Sequence, residues 1–407
     1  MKLFWANSLV TNRLGHFRSG GRTNRVLEPG SAITLGRCCP VWLDYQDFNR
    51  KAIRSMRVIV TGSSGLIGSA AVRHWDALGD EVIGIDNDMR ATFFGPDGST
   101  KWNQSQLEKE TKNFRTVSID IRDREKVLDL FKNETPDLII HCAAQPSHDK
   151  AAEIPFLDFE VNANGTLNLL EGTRQFAPEA VFCHMSTNKV YGDAPNELPL
   201  DELETRWEYA DKKDFHGIDE NCRIDQTMHS LFGASKAAAD ILAQEYGKYF
   251  GLKTGVFRGG CLTGASHSGV ELHGFLSYLV HVAVAKKPYT IFGYKGKQVR
   301  DQIECSDVVK AFEAFSKNPR PGEVYNIGGG RDNAASVLEC ISLIEEIGGH
   351  KIDFKLGEDN RKGDHICYIS DLRKLRRDYP DWDIRVSLRD ILSQMIASEE
   401  AKLSAPA

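Results

Sequence analysis

Three glycines and a carboxylate carry the first recognisable chemistry in this 407-residue chain. Residues 58–68 read VIVTGSSGLIG, a β-branched run that enters a turn with glycines at 62, 65 and 68. A helix-compatible apolar run follows directly. A strand, a glycine turn and a helix N-terminus in this order make a cradle for a pyrophosphate. Gly62 permits the tight turn, Gly65 lets the backbone approach the phosphates, and Gly68 lets helix and strand pack closely. Ser64, Leu66 and Ile67 complete that cradle. The spacing is G-x-x-G-x-x-G rather than the commoner G-x-G-x-x-G, and a glycine triplet alone is weak evidence. The second apolar run, EVIGID, ends in Asp86, eighteen residues beyond Gly68. An acid there can accept from the adenosine ribose hydroxyls and would repel a 2′-phosphate. The next residue is Asn87, not Arg. NAD is therefore expected over NADP, with Arg90 the basic residue that bears on the choice.

Later residues fall where such a dinucleotide would touch them. Asp120 and Ile121, after a third apolar run, can receive the adenine. The fourth run ends HCAAQ, where the small side chains of Ala143 and Ala144, before Gln145, let the dinucleotide pass close by. The fifth delivers Ser186, Thr187, Asn188 and Lys189 at its carboxyl end, where ligands bind in open α/β sheets. Phe232 and Lys236 stand four residues apart, on one face of a helix. His148 and His229 are further polar candidates, each more ordinary as a loop residue. Arg300 adjoins Asp301 and could belong to a surface ion pair.

These residues need a scaffold, and the pattern supplies one. Strands are expected at 57–61, 81–86, 115–120, 138–142, 180–186 and 254–258. Helices are expected at 67–78, 123–133, 155–177 and 230–250. Short apolar strands alternating with helical crossovers predict an α/β fold, a Rossmann-type doubly wound parallel sheet. Residues 87–113 form a polar excursion, and 193–229 a long charged insertion of the kind that is functional or disordered. Beyond 259 the helices 274–287, 306–317, 334–348 and 387–401 and a strand at 351–356 suggest a smaller lobe built from non-contiguous pieces. The YNIGGG segment at 325–330 reads as a junction between two of these helices. The basic run 361–377 reads as a solvated face. The expected domains are thus a leader at 1–55, an NAD-binding domain at 56–258 and, at 259–407, mostly a substrate-binding lobe interleaved with it.

Bulk properties agree with a soluble enzyme of the cytoplasm. Hydrophobic residues are 41% of the chain, enough for a sizeable core, and the net charge of −6 argues against a general nucleic-acid role. The nine cysteines form no C-x-x-C pair, so reduced thiols are expected and neither a metal site nor a disulfide framework. No run of eighteen apolar residues suggests a membrane span. Residues 1–55 hold nine Lys or Arg and three acids. This leader is expected to be either a misread start, with Met56 as the true beginning, or an organelle transit peptide. The first expectation is favoured because Met56 directly precedes the first strand.

Taken together, the glycine motif, Asp86, Asp120, the Ala143–Ala144 turn, Asn162 and the FGASK segment at 232–236 resemble the extended short-chain dehydrogenase/reductases that modify nucleotide-activated sugars. The resemblance covers roughly residues 56–400. The strings STNKVYGD (186–193), ETRW (204–207), SLFGASKAAAD (230–240) and GKQVRD (296–301) are similar to the CDP-paratose (CDP-tyvelose) 2-epimerase subgroup. That resemblance implies NAD as cofactor, with Asn162 and Lys236 among its contacts. It implies a CDP-linked hexose or deoxyhexose as substrate, epimerised at C2 through a transient keto sugar. Ser186, Thr187, Asn188 and Arg300 would bind substrate, Arg300 through its diphosphate. Thr187 would hydrogen-bond the reacting oxygen, and Lys236 would hold the ribose. It also implies a homodimer or homotetramer, with helices 155–177 and 230–250 forming a bundle. The family's proton-handling Tyr is replaced here by Phe232. Three readings stay open: His229, His148 or water serves instead; the chain runs related chemistry, as a 4-epimerase or 4,6-dehydratase; or it binds NAD and nucleotide sugar without turnover. The dehydratase reading is weakened by Asn188-Lys189, where such enzymes use an acidic pair.

Overall fold

The computed structural model describes residues 55–264, 274–357 and 363–404. The expected leader at 1–55 lies outside the described residues except for Ser55, as do residues 361 and 362 of the basic run. The described chain from Arg57 builds a seven-stranded sheet in the order β3-β2-β1-β4-β5-β8-β12. Its strands are β1 (Arg57–Thr61), β2 (Glu81–Ile85), β3 (Phe114–Val117), β4 (Leu138–His141), β5 (Val181–Thr187), β8 (Lys253–Gly259) and β12 (Glu323–Ile327). Every pairing is parallel. The strand order reverses between β1 and β4, which opens a crevice at the carboxyl ends of the strands.

Alternation along each strand divides the core. Val58 and Val60 face one side, against Trp75 of α1 (Leu66–Leu78) and Phe312 and Phe315 of α10 (Cys305–Lys317). Ile59 and Ile83 face the other. There they meet Phe131 of α4 (Arg124–Glu134) and Leu169 of α7 (Gly165–Phe176), in the core that also takes Ala243 of α8 (Leu231–Phe250). A third core joins α9 (Phe275–Val284), α11 (Val337–Gly348) and α13 (Leu388–Ser404) through Leu279, Ile341 and Ile391. Two small sheets accompany it. β11 (Val299–Glu304) pairs with β9 (Cys261–Thr263), β13 (Ala334–Ser336) and β15 (Cys367–Tyr368), and β10 (Tyr289–Ile291) pairs with β14 (Phe354–Leu356).

The structure corrects several expected elements. The segment read as a helix junction at 325–330 begins inside β12, the seventh strand of the main sheet, beside β8. The third strand lies earlier than expected and ends at Val117, so Asp120 stands in the following loop. The polar excursion 87–113 contains two helices, α2 (Met89–Phe94) and α3 (Lys101–Glu110). The expected helix 155–177 is α6 (Pro155–Phe159) and α7 joined by one wide π-type turn over Glu160–Asn164. The insertion 193–229 is ordered by a hairpin of β6 (Leu200–Glu202) and β7 (Trp207–Tyr209), whose Glu208 takes the Arg331 guanidinium. The remaining labelled helices are α5 (His148–Glu153) and α12 (Arg373–Asp378).

Candidate functional site

The glycines of the first turn leave no room for side chains. Gly62 has φ of +65°, and a Cβ on it would sit 2.9 Å from the Ala143 nitrogen. A Cβ on Gly68 would sit 2.0 Å from the Gly62 carbonyl oxygen. The turn therefore lies tight against β4 and under the N-terminus of α1. Gly65 stands just before that helix, and its Cβ position meets only the Gly62 carbonyl oxygen at 3.3 Å, so its outer side is open. The Ser64 hydroxyl is buried with no hydrogen-bond partner among the described residues. This is a cradle of the size and polarity that a dinucleotide pyrophosphate needs.

A cleft of about 770 Å³ runs from this turn across the carboxyl ends of the strands to the third core. Gly62, Ser64, Gly65, Leu66, Ile67, Gly68, Asp86, Asn87, Asp120, Ile121, Ala143 and Ala144 all line it. The Asp86 carboxylate accepts from the Ser64 and Asp88 backbone N–H groups, which fixes its position at the cradle's edge. Arg90 also lines the cleft, but its Nε donates to the Gly98 carbonyl and its guanidinium lies over Phe94. Asp120 is occupied by Arg122 through paired hydrogen bonds, and Arg122 holds its carboxyl below the usual range.

Gln145 and Asn162 are placed differently. Neither lines the cleft. Both are buried behind it in one hydrogen-bonded network. The Gln145 N–H donates to Asn162 Oδ1 at 2.9 Å, and Asn162 Nδ2 contacts the Gln145 carbonyl, Asp158 and Ser235. The wide turn over Glu160–Asn164 presents Asn162 to this network, as such turns do near functional sites. Their place is to tie the loop after β4 to α8.

The end of β5 and the start of α8 face each other across the cleft. Ser186, Thr187, Asn188, Lys189, Phe232 and Lys236 all line it. Ser230 caps α8 by accepting from the Gly233 N–H. One turn later Lys236 is 4% exposed, and its Nζ donates to the Met185 carbonyl at 2.9 Å. Burial pushes its ammonium down to about 8, against the opposing pull of Asp240. Among the described residues the Thr187 hydroxyl bonds only to its neighbours, donating to Asn188 Oδ1 at 3.4 Å and accepting from the Lys189 N–H at 3.3 Å. The Ser186 hydroxyl is turned away to Asp240 at 2.6 Å. Phe232 is buried and stacks on His148 with ring centroids 5.9 Å apart. His148 lines the cleft, whereas His229 does not. Both His229 ring nitrogens face backbone carbonyls, those of Thr227 and Val190, which removes it as a base.

Arg300 and Asp301 are not a surface pair. Arg300 is 8% exposed, lines the cleft and donates to Asp364 and the His365 carbonyl, each at 2.6 Å. Asp301 points elsewhere and accepts from the Gly330 and Ser370 N–H groups. Asp364 was missed within the basic run read as a solvated face. That reading suits the exposed Arg373, Arg376 and Arg377, but Asp364 lines the cleft between Arg300 and Lys189. Burial alone would raise its carboxyl, yet the two cations hold it well below the usual range. Only its contacts reveal it, since no local motif marks it. Among the described residues no cluster of His, Cys, Asp and Glu could hold a metal ion, and no helix is long and apolar enough to cross a membrane.

Two predictions follow from this geometry. Asp86→Ala should relax the preference for NAD over NADP, read by calorimetry; unchanged discrimination in the variant would remove Asp86 from that role. Lys236 carries a cost of burial. The unfolded chain holds this proton to about pH 10.4, whereas the fold holds it to about 8. Below both values the cost is complete. Between them the unfolded chain binds more protons, so stability rises with pH. Lys236→Met should therefore stabilise the ligand-free protein at pH 7 by roughly 1–3 kcal/mol, a gain that shrinks toward pH 10. Urea denaturation showing a variant no more stable than wild type at pH 7 would contradict this.

Comparison with known proteins fits the same arrangement. The model of the NAD dependent epimerase/dehydratase family matches residues 58–328. The chain is 33% identical to CDP-paratose 2-epimerase of Salmonella typhi over 84% of its length and 98% of that protein. It is 30% identical to dTDP-glucose 4,6-dehydratase of Haemophilus influenzae, over 82% of this chain and 89% of that one. Among solved structures, UDP-glucose 4-epimerase of Thermus thermophilus in complex with NAD is similar at 27% identity. Its TM-score is 0.65, covering 84% of this chain and 99% of that chain. With the glycine cradle, Asp86 and the β5–α8 cleft in place, the chain belongs to the NAD dependent epimerase/dehydratase family, and its cofactor is NAD.

Proposed function

We propose that this chain is an NAD-dependent epimerase acting at C2 of a CDP-linked hexose or deoxyhexose, in carbohydrate biosynthesis in the cytoplasm. The observation that carries the reading is the end of β5. Thr187 faces the α8 residues across the cleft, and Asn188 and Lys189 follow it where a dehydratase needs two carboxylates. The 33% identity to a CDP-paratose 2-epimerase over most of both chains supports the same choice. A nucleotide-sugar 4-epimerase is the nearest alternative within the family.

NAD would supply reversible hydride acceptance at the sugar carbon. The chain's own residues do the rest. The Thr187 hydroxyl is free to turn from Asn188 and donate to the reacting oxygen. Lys236, buried beside the cradle, supplies a fixed positive charge and a donor for the cofactor ribose. Arg300 offers a planar guanidinium to the diphosphate. The burial of these groups strengthens each interaction by excluding water. Phe232 favours a second reading from another class, a protein that binds NAD and nucleotide sugar without turnover. Against it stands Thr187, a hydroxyl placed for the reacting oxygen, which binding without turnover would not need.

A homodimer is part of this proposal, with a homotetramer as its doubled form. Phe156 on α6 is 86% exposed, and Tyr249 on α8 is 80% exposed, with Ile241 and Phe250 of α8 also exposed. Burying these faces against a second copy would remove apolar surface from water.

Incubation with NAD and a panel of CDP-, UDP- and dTDP-sugars, with stereochemistry read by NMR, should yield a C2 epimer from CDP-paratose. Thr187→Val should slow that turnover by roughly 10²-fold. Phe232→Tyr should raise it if the native site lacks a good base, and leave it unchanged or lower it if another group has the role. Wild-type protein that binds NAD and CDP-paratose without epimerised product or transient NADH absorbance would establish the binding-protein reading instead. In sedimentation velocity at micromolar concentration the chain should run as a dimer or tetramer; a monomer would remove the assembly from the proposal.

A further inference from the structure

If the chain is an epimerase as proposed above, some group must take the sugar hydroxyl proton and return it. The position that would hold a phenol is Phe232. His229 is bound to two carbonyls and lies off the cleft. The cleft-lining thiols are poor bases, since burial pushes Cys142 up to about 12 and Cys261 to about 11. Lys236 is held against the Met185 carbonyl.

Lys189 remains. It stands two residues after Thr187, lines the cleft and is 15% exposed. Its Nζ donates to the Gly363 carbonyl at 3.0 Å and reaches Asp364 Oδ1 at 3.4 Å. Among the described residues these contacts engage two of the three N–H donors of an ammonium. Gly363 in turn lies beside His148, where a Cβ built on the glycine would sit 3.7 Å from Cε1, and His148 stacks on Phe232. Lys189, Gly363, His148 and Phe232 thus follow one another along the same side of the cleft.

We propose that Lys189 is the proton acceptor and donor for the reacting sugar hydroxyl, in place of the phenol that Phe232 lacks. In the oxidising direction the neutral amine forms an N–H bond as the sugar O–H bond breaks. The carbon–oxygen bond becomes a carbonyl, and the electron pair leaves with the carbon-bound hydrogen to the oxidised dinucleotide. In the reducing direction the ammonium returns its proton to the same oxygen as that hydrogen and electron pair come back to the opposite face. Atoms and charges balance within the site, and no other co-reactant is required.

The surroundings suit a lysine that must lose its proton. Burial is the main force lowering its pKa, and Arg300 of β11 adds to it. Asp364 opposes both. Among the described residues, further titratable groups around this pocket include His365 beside Asp364, Cys261 of β9, Asp193 after β5, His148 and Asp149 of α5, Tyr289 of β10 and Tyr294, whose hydroxyl contacts the Asp364 carbonyl. An amine whose pKa moves toward the working pH is a better proton shuttle than a solvated one.

Two measurements on the full chain test this. The first needs no turnover. Acetic anhydride labelling of Lys189, followed by peptide mass spectrometry across pH, should titrate below the exposed Lys132 of the same protein, and CDP should protect it. Labelling that tracks Lys132 overturns the proposal. The second uses NAD and CDP-paratose. Lys189→Met and Lys189→Arg should each lower kcat by roughly 10²-fold or more with little change in KM, and Phe232→Tyr should restore turnover to Lys189→Met. Recovery by Lys189→Arg alone would mean that only the charge opposite Asp364 matters, and would overturn the proton role. Should Lys189→Met fail to fold, Lys189→Arg keeps the ion pair and still tests it. A pH profile moved by His148→Gln but not by Lys189→Arg would assign the proton to His148. Wild-type protein that turns over none of the panel sugars defeats the epimerase reading itself, whereas active wild type with an equally active Lys189→Met defeats only the role of Lys189.

Discussion

The buried ion pair of Asp240 and Arg258 is the constraint on which the catalytic half of the cleft depends. Asp240 is fully buried on α8 and Arg258 is 4% exposed on β8, with two hydrogen bonds at 2.8 and 3.0 Å. Asp240 also takes the Ser186 hydroxyl from the end of β5. Arg258 donates to the Tyr191 hydroxyl, which donates to Asn326 of β12. One pair thus fixes α8 against three neighbouring strands. Lys236 lies one turn before Asp240, so the same pair sets where its ammonium sits. A buried pair is no simple gain in stability, but removing one partner strands a charge at a cost of about 3–5 kcal/mol. Its value here is geometric: it locks the register of α8 on the sheet.

A second consequence concerns charge. The cleft contains two amines, Lys189 and Lys236, each with its pKa lowered mainly by burial. Their environments differ. Lys236 leans on a neutral carbonyl, with Asp240 of the ion pair helping to keep it charged. Lys189 shares a single carboxylate, Asp364, with Arg300. A diphosphate arriving at Arg300 would compete with Asp364 for that guanidinium and alter the field at Lys189. On the proposed reading, substrate binding and the proton affinity of Lys189 would be coupled through one carboxylate.

Much of the sheet could be read from residue order because its strands are short β-branched runs between polar segments. VIVT and EVIGI became β1 and β2 at the expected positions. β12 escaped that reading because its run contains Asn326 and leads into three glycines. Burial between β8 and α12, rather than local pattern, makes it a strand. The glycine cradle and Asp86 were legible because their chemistry is local. Asn162 was legible as important but not in its place, since its partner Ser235 is 73 residues away. Asp364 was invisible for the same reason, standing 64 residues from Arg300 within a basic run. Local pattern carries backbone conformation, whereas partners distant in sequence are fixed only by the folded topology.

The glycine cradle and the β5–α8 groups lie on different parts of the fold, with the cleft running between them. Gly62, Gly68 and Asp86 belong to the β1–β2 half, and nothing in their packing involves residue 232. Thr187, Lys189, Phe232 and Lys236 belong to β5 and α8. The link between the halves is the network of Gln145, Asp158, Asn162 and Ser235, which joins the loop after β4 to α8. Replacing a phenol by a phenyl ring leaves every bond of that network intact, because Phe232 contributes through its carbonyl to Ser235 and through its ring to His148. The site can therefore change how it moves a proton without disturbing how it holds NAD.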